Sequence, residues 1–201
     1  MSGTAGLYVH VPFCSRVCPY CDFAVQRESG AARGRFLDAL RLEIASGPEQ
    51  LGPFDTIFFG GGTPSVLTAA QLSGLLDALR GRFAFVADPW ISLEAHPEDV
   101  SPMTAREWRE MGIGTLSLGV QSFDDRELRF LGRRHDAAGA RRCVQVAAEA
   151  GFPIVSVDLI FGLPEQDAGS WRASLDTAVS RQVEHVSCYQ LTLHEGSPFG
   201  R

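Results

Sequence analysis

Six short runs rich in β-branched and apolar residues recur along the chain, and stretches of helical periodicity separate them. The runs are LYVHV (7–11), TIFFG (56–60), WISLEA (90–95), TLSLGV (115–120), IVSVDLIFG (154–162) and HVSCYQLTL (185–193). Strands that alternate with helices in this way form βα units around a parallel sheet. Six units fit into 201 residues, whereas a closed eight-fold barrel needs about 250. The expected fold is therefore α/β, a partial (β/α)6 barrel of TIM type.

The intervening stretches carry helix punctuation. Thr68 and Gln71 have capping-box spacing ahead of Leu72, Leu75, Leu76 and Leu79, which share one face. Ser101 followed by Pro102 opens a helix that Gly112 can end, and Asp136 can cap the helix that carries Val144, Ala147 and Ala148 and closes at Gly151. A helix over about 34–45 buries Phe36, Leu37, Leu40 and Ile44, and another covers about 170–181. With no repeat, low-complexity tract or linker between units, residues 1–201 read as one domain. The last residues, LTLHEGSPFGR, run from the sixth strand into a loop, so the chain has the character of a truncated piece. An unprotected sixth strand would favour a dimer or aggregation through its edge.

Composition excludes several chemistries. All 18 basic residues are arginine, so no lysine Schiff base and no P-loop lysine exists in this chain. The net charge is -6 and no basic run suggests nucleic-acid binding. The first seven residues lack a signal-peptide pattern, and no apolar run approaches the ~18 residues needed to cross a bilayer, which makes the cytoplasm the expected compartment.

Three of the five cysteines, Cys14, Cys18 and Cys21, crowd into eight residues just after the first strand. An odd total and this clustering argue against a disulfide framework and for a metal or redox site. The carboxyl ends of strands are where βα folds place their chemistry. A structural zinc site takes four ligands, and His10 or His96 could complete one. Three thiolates instead suit a 4Fe-4S cluster with one iron left open.

Further polar positions fall at the same end of the strands. Gly60, Gly61, Gly62 and Thr63 follow the second strand, where glycines give a ligand close access to the backbone or simply make a tight turn. Glu94, Gln121 and Asp158 lie in or at the ends of strands three, four and five. Each is costly to bury without a partner, so one shared ligand or structural hydrogen bonding must satisfy it. Arg133 could hold a carboxylate bidentately, while Arg134 reads as a solvated charge. Tyr189 could pack on a purine or belong to the core. Cys143 and Cys188 read as structural.

The C-x-x-x-C-x-x-C loop, with Tyr20 before its last cysteine, resembles the signature of the radical S-adenosylmethionine (SAM) superfamily. That resemblance implies that SAM chelates the fourth iron through its amino and carboxylate groups. An electron from the reduced cluster then cleaves the sulfonium to a 5′-deoxyadenosyl radical. The ordered set YVHVPFC, CPYCDF, GGGTPS, EAHP, GVQSF, LGRRHD, DLIFGLP and YQLT resembles the oxygen-independent coproporphyrinogen III oxidase family. By that resemblance Tyr8, Tyr20, the glycine run with Thr63, Glu94, Gln121, Arg133, Asp158 and Tyr189 bind SAM, and the three cysteines bind the cluster.

The family has an oxidase branch, which makes protoporphyrinogen IX by oxidative decarboxylation, and a haem chaperone branch, which delivers haem to respiratory proteins. The oxidases carry another cysteine two residues after the third and a long segment before the first strand. Here Phe23 stands at that position and seven residues precede Tyr8, so the chain resembles the chaperones. The resemblance implies haem or porphyrinogen as ligand, haem-acceptor proteins, and a reductant such as flavodoxin or ferredoxin. It also implies a C-terminal haem-associated domain that residues 1–201 do not contain. His135 and His194 are haem-ligand candidates only as histidines, and solvated or capping roles are the alternative.

Overall fold

The computed structural model describes residues 4–48, 51–181 and 183–201. The first strand, β1 (Ala5–Val11), leads into two short paired strands, β2 (Phe13–Cys14) and β3 (Gln26–Arg27), that bracket the cysteine loop. There follow α1 (Gly30–Ser46), β4 (Phe54–Gly61), α2 (Ala69–Arg82), β5 (Phe85–Ala95), α3 (Pro102–Glu110), β6 (Ile113–Gln121), α4 (Asp125–Phe130), α5 (Ala137–Glu149), β7 (Ile154–Phe161), α6 (Ala168–Ser180) and β8 (His185–Gln190). Six strands pair in parallel in the order β1-β4-β5-β6-β7-β8, so each new strand joins the edge left by the one before. The sheet curls into the half-barrel that six βα units predict.

Side-chain alternation divides the sheet into two faces. Along β6, Leu116, Leu118 and Val120 are buried while Thr115, Ser117, Gly119 and Gln121 are only partly covered. The buried set joins Ile57 and Phe59 of β4, Leu93 of β5 and Val155, Val157 and Leu159 of β7 in one core. Leu72, Leu75, Leu76 and Leu79 of α2 and Ala140, Cys143, Val144 and Ala147 of α5 close over it. Each such leucine contributes about 1.5–3 kcal/mol of apolar burial, and truncating one to alanine costs about 2–5 kcal/mol. The other face of the sheet is less covered, and along β6 it carries Thr115, Ser117, Gly119 and Gln121.

The capping signals act as their residue types predict. Thr68 and Gln71 form both halves of a capping box, and Ser101 caps α3 with Pro102 in its first turn. Asp136 accepts from the Gly139 N–H at 2.6 Å, and Gly112 and Gly151 take left-handed conformations after their helices. The first helix begins four residues earlier than its apolar pattern indicated, because Ser29 caps it by accepting from Ala32 N–H. Phe36 and Leu40 are only half-buried there, and Ala148 of α5 faces solvent. Helix α4 has no periodic signal of its own; Asp124, accepting from the N–H groups of Arg126 and Glu127, starts it. The sixth strand stops at Gln190 rather than running to residue 193, and it pairs with β7 alone among the described residues.

Candidate functional site

The cysteine loop is tied down from three sides. β1 delivers it by burying Val9 and Val11, and Phe13 anchors its start in the core. The N–H groups of Gln26 and Glu28 donate to the carbonyls of Pro12 and Cys14 at 2.8 Å each, which closes the base of the loop. His10 Nε2 donates to the Ala24 carbonyl at 3.1 Å. Tyr20 packs its ring against a small apolar cluster of Leu131, Ile160 and Leu163, and burial raises the pKa of its hydroxyl. At the far side, Phe199 N–H donates to Pro19 O at 3.0 Å.

The glycine run after β4 is zipped onto this loop. Gly62 N–H donates to Val11 O at 2.8 Å and Thr63 N–H to Phe13 O at 2.7 Å. A Cβ at Gly62 would lie 2.6 Å from Phe13 O, so the residue must be glycine for β4 and the loop to meet at all. Gly60 is likewise filled in by Phe58 and Tyr8. Close packing within the chain, rather than ligand access alone, therefore demands these glycines. Thr63 then places its Oγ1 to donate to Cys14 Sγ at 3.4 Å.

A cavity of about 400 Å³ opens at the carboxyl ends of the strands. Of the residues singled out in the sequence, Tyr20, Cys21, Gly61, Gly62, Thr63, Glu94, Gln121, Arg133, Asp158 and Tyr189 line it. Cys14 and Cys18 stand one contact behind, against Thr63 and Arg133. Tyr8 lies outside the lining: its ring stacks on Phe58 at 5.8 Å and its hydroxyl donates to His10 Nδ1 at 3.5 Å. Tyr189 is 55% exposed, so it is a wall of the cavity and not a core residue.

Two carboxyl groups share the interior of this cavity. Burial raises Glu94 to about 7; the Gly61 N–H, donating to Oε2 at 3.1 Å, opposes the rise and nearby Asp158 adds to it. Burial also raises Asp158 to about 6, against the hydrogen bond from Ser187. Gln121 ends β6 at φ 73°, outside the conformations ordinary residues prefer, just after the pairing of β6 with β7 shifts register between Leu118 and Gln121. Such a shift re-aims a side chain, and holding a non-glycine residue there costs about 1–3 kcal/mol. The strain turns Gln121 into the cavity.

Arg133 is engaged by the chain itself. Its Nη2 donates to Gly119 O at 2.5 Å and its Nη1 to Cys18 Sγ at 3.3 Å, so the fork that could clamp a carboxylate is held by the chain, and Nε has no protein partner. Arg134, read as a solvated charge, is half-exposed but ion-paired with Glu98 at 2.7 Å. Cys143 is structural as expected: it is buried, donates to Ala140 O, and burial pushes its thiol up to about 12. Cys188 is not; it is exposed on the edge strand.

The histidines separate by environment. His96 Nδ1 accepts from Glu98 N–H, and burial with Arg133 nearby lowers its pKa to about 2. His135 is buried, donates through Nε2 to Val120 O at 3.0 Å and is lowered to about 4 for the same reasons, so it is neither solvated nor a cap. His194, half-exposed, pairs with Asp22 at 3.1 Å. His10 has both ring nitrogens committed to Tyr8 and Ala24. Among the described residues no three His, Cys, Asp or Glu side chains are grouped so as to hold one metal ion. In a cubane each thiolate takes its own iron, so three cysteines need not converge on a point as zinc ligands must.

Sequence reasoning passed over Gly119 and Asp22, both at the cavity; it used Phe23 only to tell the two branches apart and His194 only as a haem-ligand candidate, not as the partner of Asp22.

Residues 8–178 match the Radical SAM superfamily. The heme chaperone HemW of Synechocystis sp. is 35% identical over 200 residues, covering 96% of this chain and 48% of that protein. The heme chaperone HemW of Mycobacterium tuberculosis is 38% identical over 201 residues, covering 98% of this chain and 52% of its own. Among solved structures, the coproporphyrinogen III oxidase HemN of Escherichia coli, a radical SAM enzyme, superposes with a TM-score of 0.87 at 31% identity, over 97% of this chain and 45% of that one. The chain thus spans about half the length of the curated relatives it matches. Proteins of the matched family generally bind a 4Fe-4S cluster and SAM. By its sequence and its half-barrel, the chain belongs to the radical SAM superfamily.

Proposed function

We propose that Cys14, Cys18 and Cys21 hold a 4Fe-4S cluster, that the cavity beside them takes SAM, and that the whole protein is a cytoplasmic haem chaperone. One observation carries the reading. Cys21 lines the cavity with Cys14 and Cys18 one contact behind it, and Phe23, 68% exposed at its mouth, stands where a fourth cysteine would mark an oxidase. The donor set suits the cluster, since Thr63 and Arg133 already direct hydrogen-bond donors at two of the sulfurs. When bound, the cluster supplies one electron to the sulfonium of SAM.

The chain's own groups would then orient the cosubstrate. Glu94 and Asp158 present acceptors for the ribose hydroxyls, Gln121 and Tyr189 flank the purine, and the backbone at Gly61–Gly62 faces the methionine end. Haem is cargo in this reading, and a protein reductant such as flavodoxin or ferredoxin supplies the electron. The relatives named heme chaperone at 35–38% identity support delivery over synthesis.

A second reading, coproporphyrinogen III oxidation, is favoured by the likeness to the HemN structure. Anaerobic reconstitution tests the two together. A reduced-cluster paramagnetic resonance signal that changes with SAM, a Soret band on haem titration and no decarboxylation of coproporphyrinogen III support the chaperone. Turnover of coproporphyrinogen III would transfer the protein to the second reading. A cluster signal indifferent to SAM would sink the cavity assignment.

A further inference from the structure

Two hydrogen bonds to the cysteine loop are not accounted for by binding a cosubstrate. Thr63 Oγ1 donates to Cys14 Sγ at 3.4 Å, and Arg133 Nη1 donates to Cys18 Sγ at 3.3 Å. The donors come from different places in the fold, the loop after β4 and the turn after α4, yet they meet two sulfurs of one eight-residue motif. Neither is free to swing away. Thr63 is fixed by its own N–H on Phe13 O at 2.7 Å, and Arg133 by Nη2 on Gly119 O at 2.5 Å and its own N–H on Leu128 O at 2.9 Å. A Cβ at Gly119 would lie 3.1 Å from Gln121 Nε2 and 3.7 Å from Arg133 Nη2, so the glycine leaves both side chains room.

From this geometry we infer that Thr63 and Arg133 are positioning residues that set the reduction potential of the cluster. The inference rests on the proposed cluster assignment. An oxidised 4Fe-4S core has charge +2, and with three thiolates the assembly carries -1. It takes one electron from a one-electron donor, a flavodoxin- or ferredoxin-type protein in the cell or dithionite in the cuvette, and becomes -2 with no proton moved. Donors and positive charge at the sulfurs favour the more negative state, so they raise the potential and ease reduction. Arg133 brings a full charge as well as a donor, and its Nε is buried. Thr63 brings only a neutral hydroxyl, so its effect is the smaller.

The assay is a redox titration of the reconstituted full chain followed by paramagnetic resonance, without SAM. Leaving SAM out matters, since a role confined to the cosubstrate carboxylate would leave the potential of the SAM-free cluster unmoved. Thr63→Val should shift the oxidised-to-reduced ratio at fixed potential about threefold toward oxidised, as one modest hydrogen bond is lost. Thr63→Ser, which keeps the hydroxyl, should restore it. Arg133→Gln should shift the ratio about tenfold or more, equal to about 59 mV for one electron. Arg133→Lys should fall between that and the wild type. If Thr63→Val and Arg133→Gln hold full iron and keep the wild-type midpoint, the tuning role is wrong and the cluster reading stands. Should Arg133→Gln fail to take up iron, the Thr63→Val and Thr63→Ser pair decides alone. A wild-type chain that assembles no cluster overturns both the reading and this inference.

Discussion

Replacing Gly62 with alanine tests whether the glycine run is required by the chain itself. The added Cβ would lie 2.6 Å from Phe13 O, 2.9 Å from Phe13 N and 2.9 Å from Val11 O. All three are backbone atoms, at the end of β1 and the start of β2, so no side chain can rotate out of the way. Relief requires the end of β4 to retreat by several tenths of an ångström, which stretches the bonds from Gly62 N–H to Val11 O and Thr63 N–H to Phe13 O. Losing two backbone hydrogen bonds at about 0.5–1.5 kcal/mol each, with residual strain, gives about 2–4 kcal/mol. At about 2–4 °C per kcal/mol for a chain of this size, the melting temperature should fall by roughly 5–15 °C. Iron uptake should fall with it, because Thr63 moves away from Cys14. Gly112→Ala is the control: its φ of 90° also disfavours a side chain, but the nearest atom is Ile91 Cδ1 at 4.0 Å and the site is distant. That variant should lose only about 1 kcal/mol and no iron. Chemical denaturation and iron-to-protein ratios on the two variants decide the matter. Gly62→Ala with stability within about 0.5 kcal/mol of the wild type and full iron would refute the packing argument.

Gln121→Gly should raise the melting temperature by relieving φ 73°, worth about 1 kcal/mol, while weakening SAM binding by calorimetry; loss on both measures would mean that the backbone is unstrained. Glu94 is held above its ordinary value, so the folded chain binds more protons than the unfolded one between about pH 4.5 and 7, and stability falls as pH rises through that window. Glu94→Gln should flatten that fall, by on the order of 2 kcal/mol once solvent in the cavity is allowed for, and parallel stability–pH curves would count against the burial argument. Replacing Cys14, Cys18 and Cys21 together with serine should abolish the iron chromophore, whereas Cys143→Ser should keep it and cost about 1 kcal/mol of core stability, as read by metal analysis and thermal unfolding.

How much of this was legible in the sequence depends on whether one residue's chemistry was enough to place it. The strands of the half-barrel announced themselves because each is a short apolar run between helix caps, and an all-parallel sheet leaves few other ways to cover both ends of such runs. Glu94, Gln121 and Asp158 were equally visible, since a polar residue inside an apolar strand must be satisfied by something. What the sequence could not show were facts that belong to pairs of distant residues. The demand for glycine at 62 comes from a carbonyl 49 positions earlier, Phe13 O, and a glycine triplet reads the same whether it wraps a ligand or another strand. Arg133 looked free to clamp a carboxylate because nothing in LGRRHD records that Gly119 O and Cys18 Sγ will claim its fork. His135 looked like a solvated residue beside two arginines, yet the chain turns it inward onto Val120 O. In each case the residue type was read correctly and its partner was supplied by the fold, which is why the site's membership could be anticipated and its wiring could not.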